Sequence, residues 1–331
     1  MGKAVQRQLK ARPQHLHKVK ALRGRGRATG PKPASQLVLD PEIGTVDAVK
    51  AICGWLRQII AAQQQAVRQR KPLGVHQMRI GLRRMRAAIS VFAPLLHDAQ
   101  TARVARELKW LAGRLAPARD LYVMQMRVDQ LGIASGSPAF RKRLAASRIA
   151  AFDKAKAAVE QPRFRALLLE IGRWIDSGDW TSQPPLPANR RTARRFAKHV
   201  LTTRADRVID KAKHLNKMSV ERRHRLRIAA KKLYYATGFF ESLFVEHKAA
   251  KRLSAFRTAL KNLLDALGAL NDIAVQSELA RKLARAPDAA ARQAAPATRS
   301  LSDLNKAESA KLLKAAAKAG RKLADRPLFG D

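Results

Sequence analysis

Residues 75–92, VHQMRIGLRRMRAAISVF, bring His76, Arg79, Arg83, Arg84 and Arg86 into one stretch that contains no Asp or Glu. Such groups hold anions: a guanidinium grips phosphate oxygens with a planar fork, and a lysine ammonium acts as a compact point charge. On a helix turning ~100° per residue, His76, Arg79, Arg83 and Arg86 share a sector of about 80°. Val75, Met78, Leu82, Met85, Ile89 and Phe92 fill the adjoining sector, so one face can pack while the next stays charged. Arg84 points about a quarter-turn away from the row. Cations three and four positions apart repel one another and destabilise a bare helix. An uncompensated row of them fits a linear anion whose charges recur at short intervals.

The pattern returns later in the chain. Aligning residues 75–92 with RHRLRIAAKKLYYATGFF, residues 223–240, pairs His76 with His224, Arg79 with Arg227, and Arg83 and Arg84 with Lys231 and Lys232. Phe92 then pairs with Phe240. A second match follows in each half: RELKWLAGRLAPARDLYV (106–123) aligns with TALKNLLDALGALNDIAV (258–275). It pairs Lys109 with Lys261, Leu115 with Leu267, and Asp120 with Asp272, so Lys109 and Lys261 offer a second cationic wall. Two elements recurring in the same order indicate an internal duplication. For each His, a helix-start or packing role stands beside a ligand role. Asp120 and Asp272 follow Pro117 and Gly268, which suits capping or an Arg salt bridge better than catalysis.

These rows need helices to carry them, and the composition supplies helices. From about Thr45 the chain is rich in Ala, Leu, Arg and Lys and poor in strand formers, which predicts an all-α fold. Residues 1–40 hold many Lys and Arg, three Gly between Gly24 and Gly30, and no acid before Asp40. That segment reads as a disordered basic arm. Breaks are expected at Lys71–Gly74, at Ala116-Pro117, at Ser135–Pro138, across Ser177–Asn189 and around Ala286–Thr298. The expected organisation is therefore an arm at 1–40 and two helical units at 41–180 and 189–326. Each unit holds about four main helices with a core of its own.

The chain carries 67 Lys and Arg against 25 Asp and Glu, a formal charge of +42. Solubility needs far less, so a polyanionic partner is expected to neutralise part of it. Nucleic acid, an anionic membrane and inorganic polyphosphate all qualify on charge. Cys53 is the only cysteine, which excludes an internal disulfide and a thiolate zinc cluster and fits a reducing compartment. Its apolar surroundings predict a buried thiol. No apolar run approaches the roughly 20 residues that span a bilayer, and the basic N-terminus lacks a signal-peptide core. A cytoplasmic protein without a membrane partner is the expectation.

The segments VHQMRIGLRRMR, HRLRIAAKKLYYATGFF, RDLYV and NDIAV resemble the CHAD family, the conserved-histidine α-helical domain, and the resemblance runs from about Pro41 to Arg326. It implies two four-helix bundles related by a pseudo-two-fold axis, with a basic channel or groove between them that holds inorganic polyphosphate. Carried over by position, the binding residues are His76, Arg79, Arg83, Arg84 and Lys109 in the first half, joined by Arg86 from the charged row. The second half supplies His224, Arg227, Lys231, Lys232 and Lys261. Tyr234 stands where the second motif usually has Arg, and Arg223 where an apolar residue usually precedes the His, so strict symmetry of the site is not expected. Association with polyphosphate granules is a further implication. Some relatives carry an N-terminal triphosphate-tunnel domain; nothing before Thr45 resembles it, so its enzymatic activity is not implied.

Two other readings are weighed. Nucleic acid could be bound through the basic arm and the basic helix faces. The repeated rows, however, hold few aromatics for base stacking, and no helix-turn-helix or zinc signature is present. Phosphoryl-transfer chemistry at His76 or His224 would call for carboxylate-held metal or a phosphate-cradling glycine loop. Acids are scarce, and GRGRATG lacks the Gly-Lys-Ser/Thr ending. His15 and His17 alone make a weak metal site. No catalytic residue, cofactor or metal is therefore expected, and the chain is read as a binding protein rather than an enzyme.

Overall fold

The computed structural model describes residues 37–131, 138–182, 187, 191–284 and 289–329; the side chains of 283–304, 306 and 307 are outside that description. Most of the expected 1–40 arm, including His15 and His17, thus lies outside the described residues. The helices of the first repeat are α1 (Thr45–Ala62), the short α2 (Gln64–Arg68), α3 (Pro72–Val91), α4 (Ala99–Gln130), α5 (Pro138–Glu160) and α6 (Pro162–Ser177). The second repeat holds α7 (Ala193–Lys213), α8 (Val220–Phe239), α9 (His247–Ala284) and α10 (Ala289–Ala324). The fold is all-α, with the duplicated pairs α3–α4 and α8–α9 in the same order in both repeats; among the described residues the only β pairing is an isolated bridge between Gly44 and Thr192.

Local sequence explains the helix starts. Asp98 caps α4 by accepting from Thr101 N at 2.7 Å, Ser219 caps α8 through Arg222 N at 3.3 Å, and Thr192 caps α7. Pro72 and Pro162 open α3 and α6, where a missing N–H costs nothing. The expected break at Ala116-Pro117 does not occur, because α4 runs through Pro117. The carbonyl that loses its donor belongs to Gly113, which is exposed and free to be solvated. Asp120 and Asp272 accordingly lie inside α4 and α9 and cap nothing. The break expected around Ala286–Thr298 is shorter than predicted, since α10 is already helical from Ala289.

The two repeats share one core instead of the separate cores expected. A single cluster of buried residues runs from Leu39 to Leu328 and takes in the apolar faces of both repeats. Its joint is aromatic: Phe92 lies between Phe196 at 5.1 Å and Phe240 at 5.6 Å, centroid to centroid. Cys53 is fully buried, and desolvation pushes its thiol up to about 12. Thr45 N donates to Arg191 O at 2.8 Å and Ala193 N to Ile43 O at 2.9 Å, tying the starts of α1 and α7 together. The segment before α1 is docked too: Leu39 is buried and its N–H donates to Ser242 Oγ at 2.8 Å. The expected arm therefore ends short of residue 40. At the far end, Arg127 of α4 reaches Asn305 at 2.7 Å and Glu308 at 2.8 Å on α10. No helix among the described residues is long and apolar enough to cross a membrane.

Candidate functional site

The helices α3 and α8 pack directly on one another. Val75, Met78, Leu82 and Met85 on α3, and Leu226 and Leu233 on α8, are buried, which turns the flanking charged faces toward each other. Gly81 permits close approach to α1, since a Cβ there would stand 2.9 Å from Ile60 Cγ1. Packing of the apolar stripes thus forces the cations of both repeats into one region.

Arg83 is its electrostatic centre. Its charge acts on His76 and Arg79 of its own helix, on Arg119 and Asp120 of α4, and on Arg227 and Lys231 of α8. Burial is the largest cause lowering the pKa values of Arg79, Arg119, Arg227 and Lys231, and Arg83 lowers each further, while Asp120 opposes this at Arg79, Asp272 at Arg227 and Asp265 at Lys231. His76 is driven down to about 4 by burial and by Arg119, Arg83, Arg79 and Lys231 in that order, so it is neutral at pH 7. The Nε–H groups of Arg79 and Arg83 are buried and find no acceptor. Arg79 sits 3.7 Å from Asp120, the salt bridge that the sequence allowed. Burial raises the Asp120 pKa, Arg79 pulls it back, and Asp272 from the other repeat raises it again.

The remaining expected residues are distributed around this group. His224 is exposed, with Nδ1 2.9 Å from Asn271 Oδ1. Arg84 lies 5.7 Å from the ring centroids of both Trp55 and Tyr235. Lys231 lies 5.4 Å from the Tyr235 ring, so that buried ring carries cations from both repeats. Lys232 leaves the group: its Nζ donates to Ser90 Oγ at 3.2 Å, beside Arg204 and the exposed Arg86. Lys261 is exposed and bound to Asp265 at 2.6 Å, yet its charge still reaches Lys231. Lys109 is exposed on α4. Sequence reasoning missed Arg119 and Arg204. The signal for Arg119 was present in RDLYV, beside Asp120, whereas nothing in the repeat singled out Arg204.

The arrangement can hold an extended anion through forked guanidiniums and an ammonium. Among the described residues no group of three His, Cys, Asp or Glu side chains is placed to hold a metal ion.

Comparison with known proteins agrees with the fold. The crystal structure of the CHAD domain from the plant Ricinus communis is 27% identical, with a TM-score of 0.71 over 89% of this chain and 97% of that one. PptA from Streptomyces chartreusis is 19% identical, with a TM-score of 0.63 over 84% of this chain and all of that one (100%), a likeness of fold. A search of curated proteins finds no match. The family model described as the CHAD domain matches residues 50–281, which include both repeated helices and most of α9. With most of its length matched and the duplicated basic helices packed together, the chain belongs to the CHAD-domain family.

Proposed function

We propose that the protein binds inorganic polyphosphate, without turning it over, on the cationic surface built by α3, α4 and α8, and that this affinity brings it to polyphosphate granules. The observation that carries the reading is the set Arg79, Arg83, Arg119, Arg227 and Lys231. Three helices from both repeats hold these cations half-buried at one place, where the carboxylates acting on them are Asp120, Asp272 and, at Lys231, Asp265. The site stores repulsion that a polyanion relieves, and its half-buried guanidiniums and ammonium offer charge-assisted hydrogen bonds. The family resemblance points to the same ligand. A row of phosphates matches the spacing of cations on helical turns of ~5.4 Å better than isolated anions do.

The test is a competition between long-chain polyphosphate and duplex DNA of matched charge at near-physiological salt. It compares the full chain, a chain starting at Leu37, and an Arg83→Gln/Arg227→Gln variant. Polyphosphate should win, the shortened chain should keep it, and the double variant should lose it. Equal competition by DNA, abolished by removing residues 1–36, would instead make the arm a nucleic-acid binder and the helical faces ordinary surface charge.

A further inference from the structure

His76 and His224 hold equivalent positions in the two repeats, yet their surroundings differ in charge. Beside His76 stand Arg79 and Arg83 on its own helix, Arg119 on α4 and Lys231 on α8. Asp120 is close by but engaged with Arg79. The other helices packed on α3 send their cations elsewhere: Arg57 of α1 donates to Leu168 O, and Arg68 of α2 pairs with Glu160. Where the first repeat has Arg119, the second has Asn271, and Asn271 meets the exposed His224 at 2.9 Å. The two ends of the site therefore differ where Arg119 in one repeat is matched by Asn271 in the other.

We propose that binding of the polyanion to this site is coupled to uptake of a proton at His76, so that the site tightens as the pH falls. The proposal rests on the polyphosphate reading above. In the free protein the imidazole is neutral because half-burial and four cations oppose its charge. Phosphate oxygens lying among Arg79, Arg83, Arg119 and Lys231 reverse the sign of that field. The ring then gains a proton from solvent, becomes imidazolium and adds one positive charge and a second N–H donor to the complex. If bound His76 regains its ordinary value near 6.5, binding should be about ten-fold tighter at about pH 5.5 than at pH 8 from this group alone.

The experiment is calorimetric titration of the full chain with long-chain polyphosphate near pH 6, in two buffers of different ionisation enthalpy. Long chains keep the titrating terminal phosphates few. Wild type and His224→Gln should take up protons on binding, and His76→Gln should bind without uptake. NMR of the imidazoles gives an independent reading: the His76 signal, assigned by its loss in His76→Gln, should show protonation on adding polyphosphate. Binding with no uptake, or uptake that persists in His76→Gln, overturns this inference alone. No binding at any pH overturns the polyphosphate reading and this inference with it.

Discussion

The ring of Phe92 lies flat on that of Phe196, centroids 5.1 Å apart and planes 9° from parallel, one ring from each repeat. Phe240, the duplicate of Phe92, meets Phe92 edge-on at 5.6 Å and Phe196 at 6.4 Å. All three are buried, so the joint between the repeats is also the centre of the core. Phe92→Ala should therefore cost about 3–5 kcal/mol, the usual range for emptying an aromatic core position. Thermal unfolding should show both repeats melting together at a lower temperature. Two separate transitions would mean that the halves keep independent cores.

Arg83 should act oppositely on stability and on binding. Its guanidinium is half-buried, its Nε lacks an acceptor, and its charge disfavours every cation around it. Arg83→Gln relieves that repulsion, so the Tm of the free protein should stay level or rise. Polyphosphate affinity should fall by ten-fold or more, given about 1.5–3 kcal/mol for a hydrogen bond to a charged group. A variant that loses stability and affinity together would make Arg83 a packing residue instead.

Asp120 and Asp272 set the floor of the charge balance. Each repeat contributes one, and the charge of Asp272 raises the pKa of Asp120 across the repeats. Asp272→Asn leaves the Arg79–Asp120 pair intact and removes a negative charge near Arg119 and Arg227. Polyphosphate should then bind several-fold more tightly at low salt, with the gain shrinking as salt rises. Affinity that is unchanged at low salt would place the ligand away from Asp272.

The duplicated helices were legible because a 3.6-residue period separates a buried stripe from a charged one, and Val75, Met78, Leu82 and Met85 follow it without exception. His76, Arg79 and Arg83, with Arg227 and Lys231, came together for the same reason. Periodicity on one helix says nothing about which neighbour covers the next face. Arg84 was consequently not placed between Trp55 and Tyr235, nor Lys232 on Ser90. The break at Pro117 was misread because a proline signals lost backbone bonding, while its cost depends on whether the orphaned carbonyl is wet. Gly113 is exposed, and the helix continues. The shared aromatic joint was hidden in the same way, since Phe92 and Phe240 were visible as duplicates but Phe196 lies outside both aligned segments.

The depressed titration of His76 also has a consequence for the free protein. In the unfolded chain its pKa is the ordinary 6.5, and in the fold it is about 4. The unfolded state therefore binds the proton first as pH falls. The neutral ring's share of stability is complete above about pH 6.5 and drains away between there and pH 4. Solvent screening at a half-exposed group holds the effect to on the order of 1 kcal/mol. Between pH 7 and about pH 4.5, wild type should accordingly lose roughly 2 °C more in Tm than His76→Gln does, because Gln cannot take the proton. Saturating polyphosphate should cancel the difference between wild type and His76→Gln or reverse it, because the bound anions favour the imidazolium that the empty site resists. Identical acid profiles for wild type and His76→Gln would show that water, reaching the ring freely, already screens Arg79, Arg83, Arg119 and Lys231 from it.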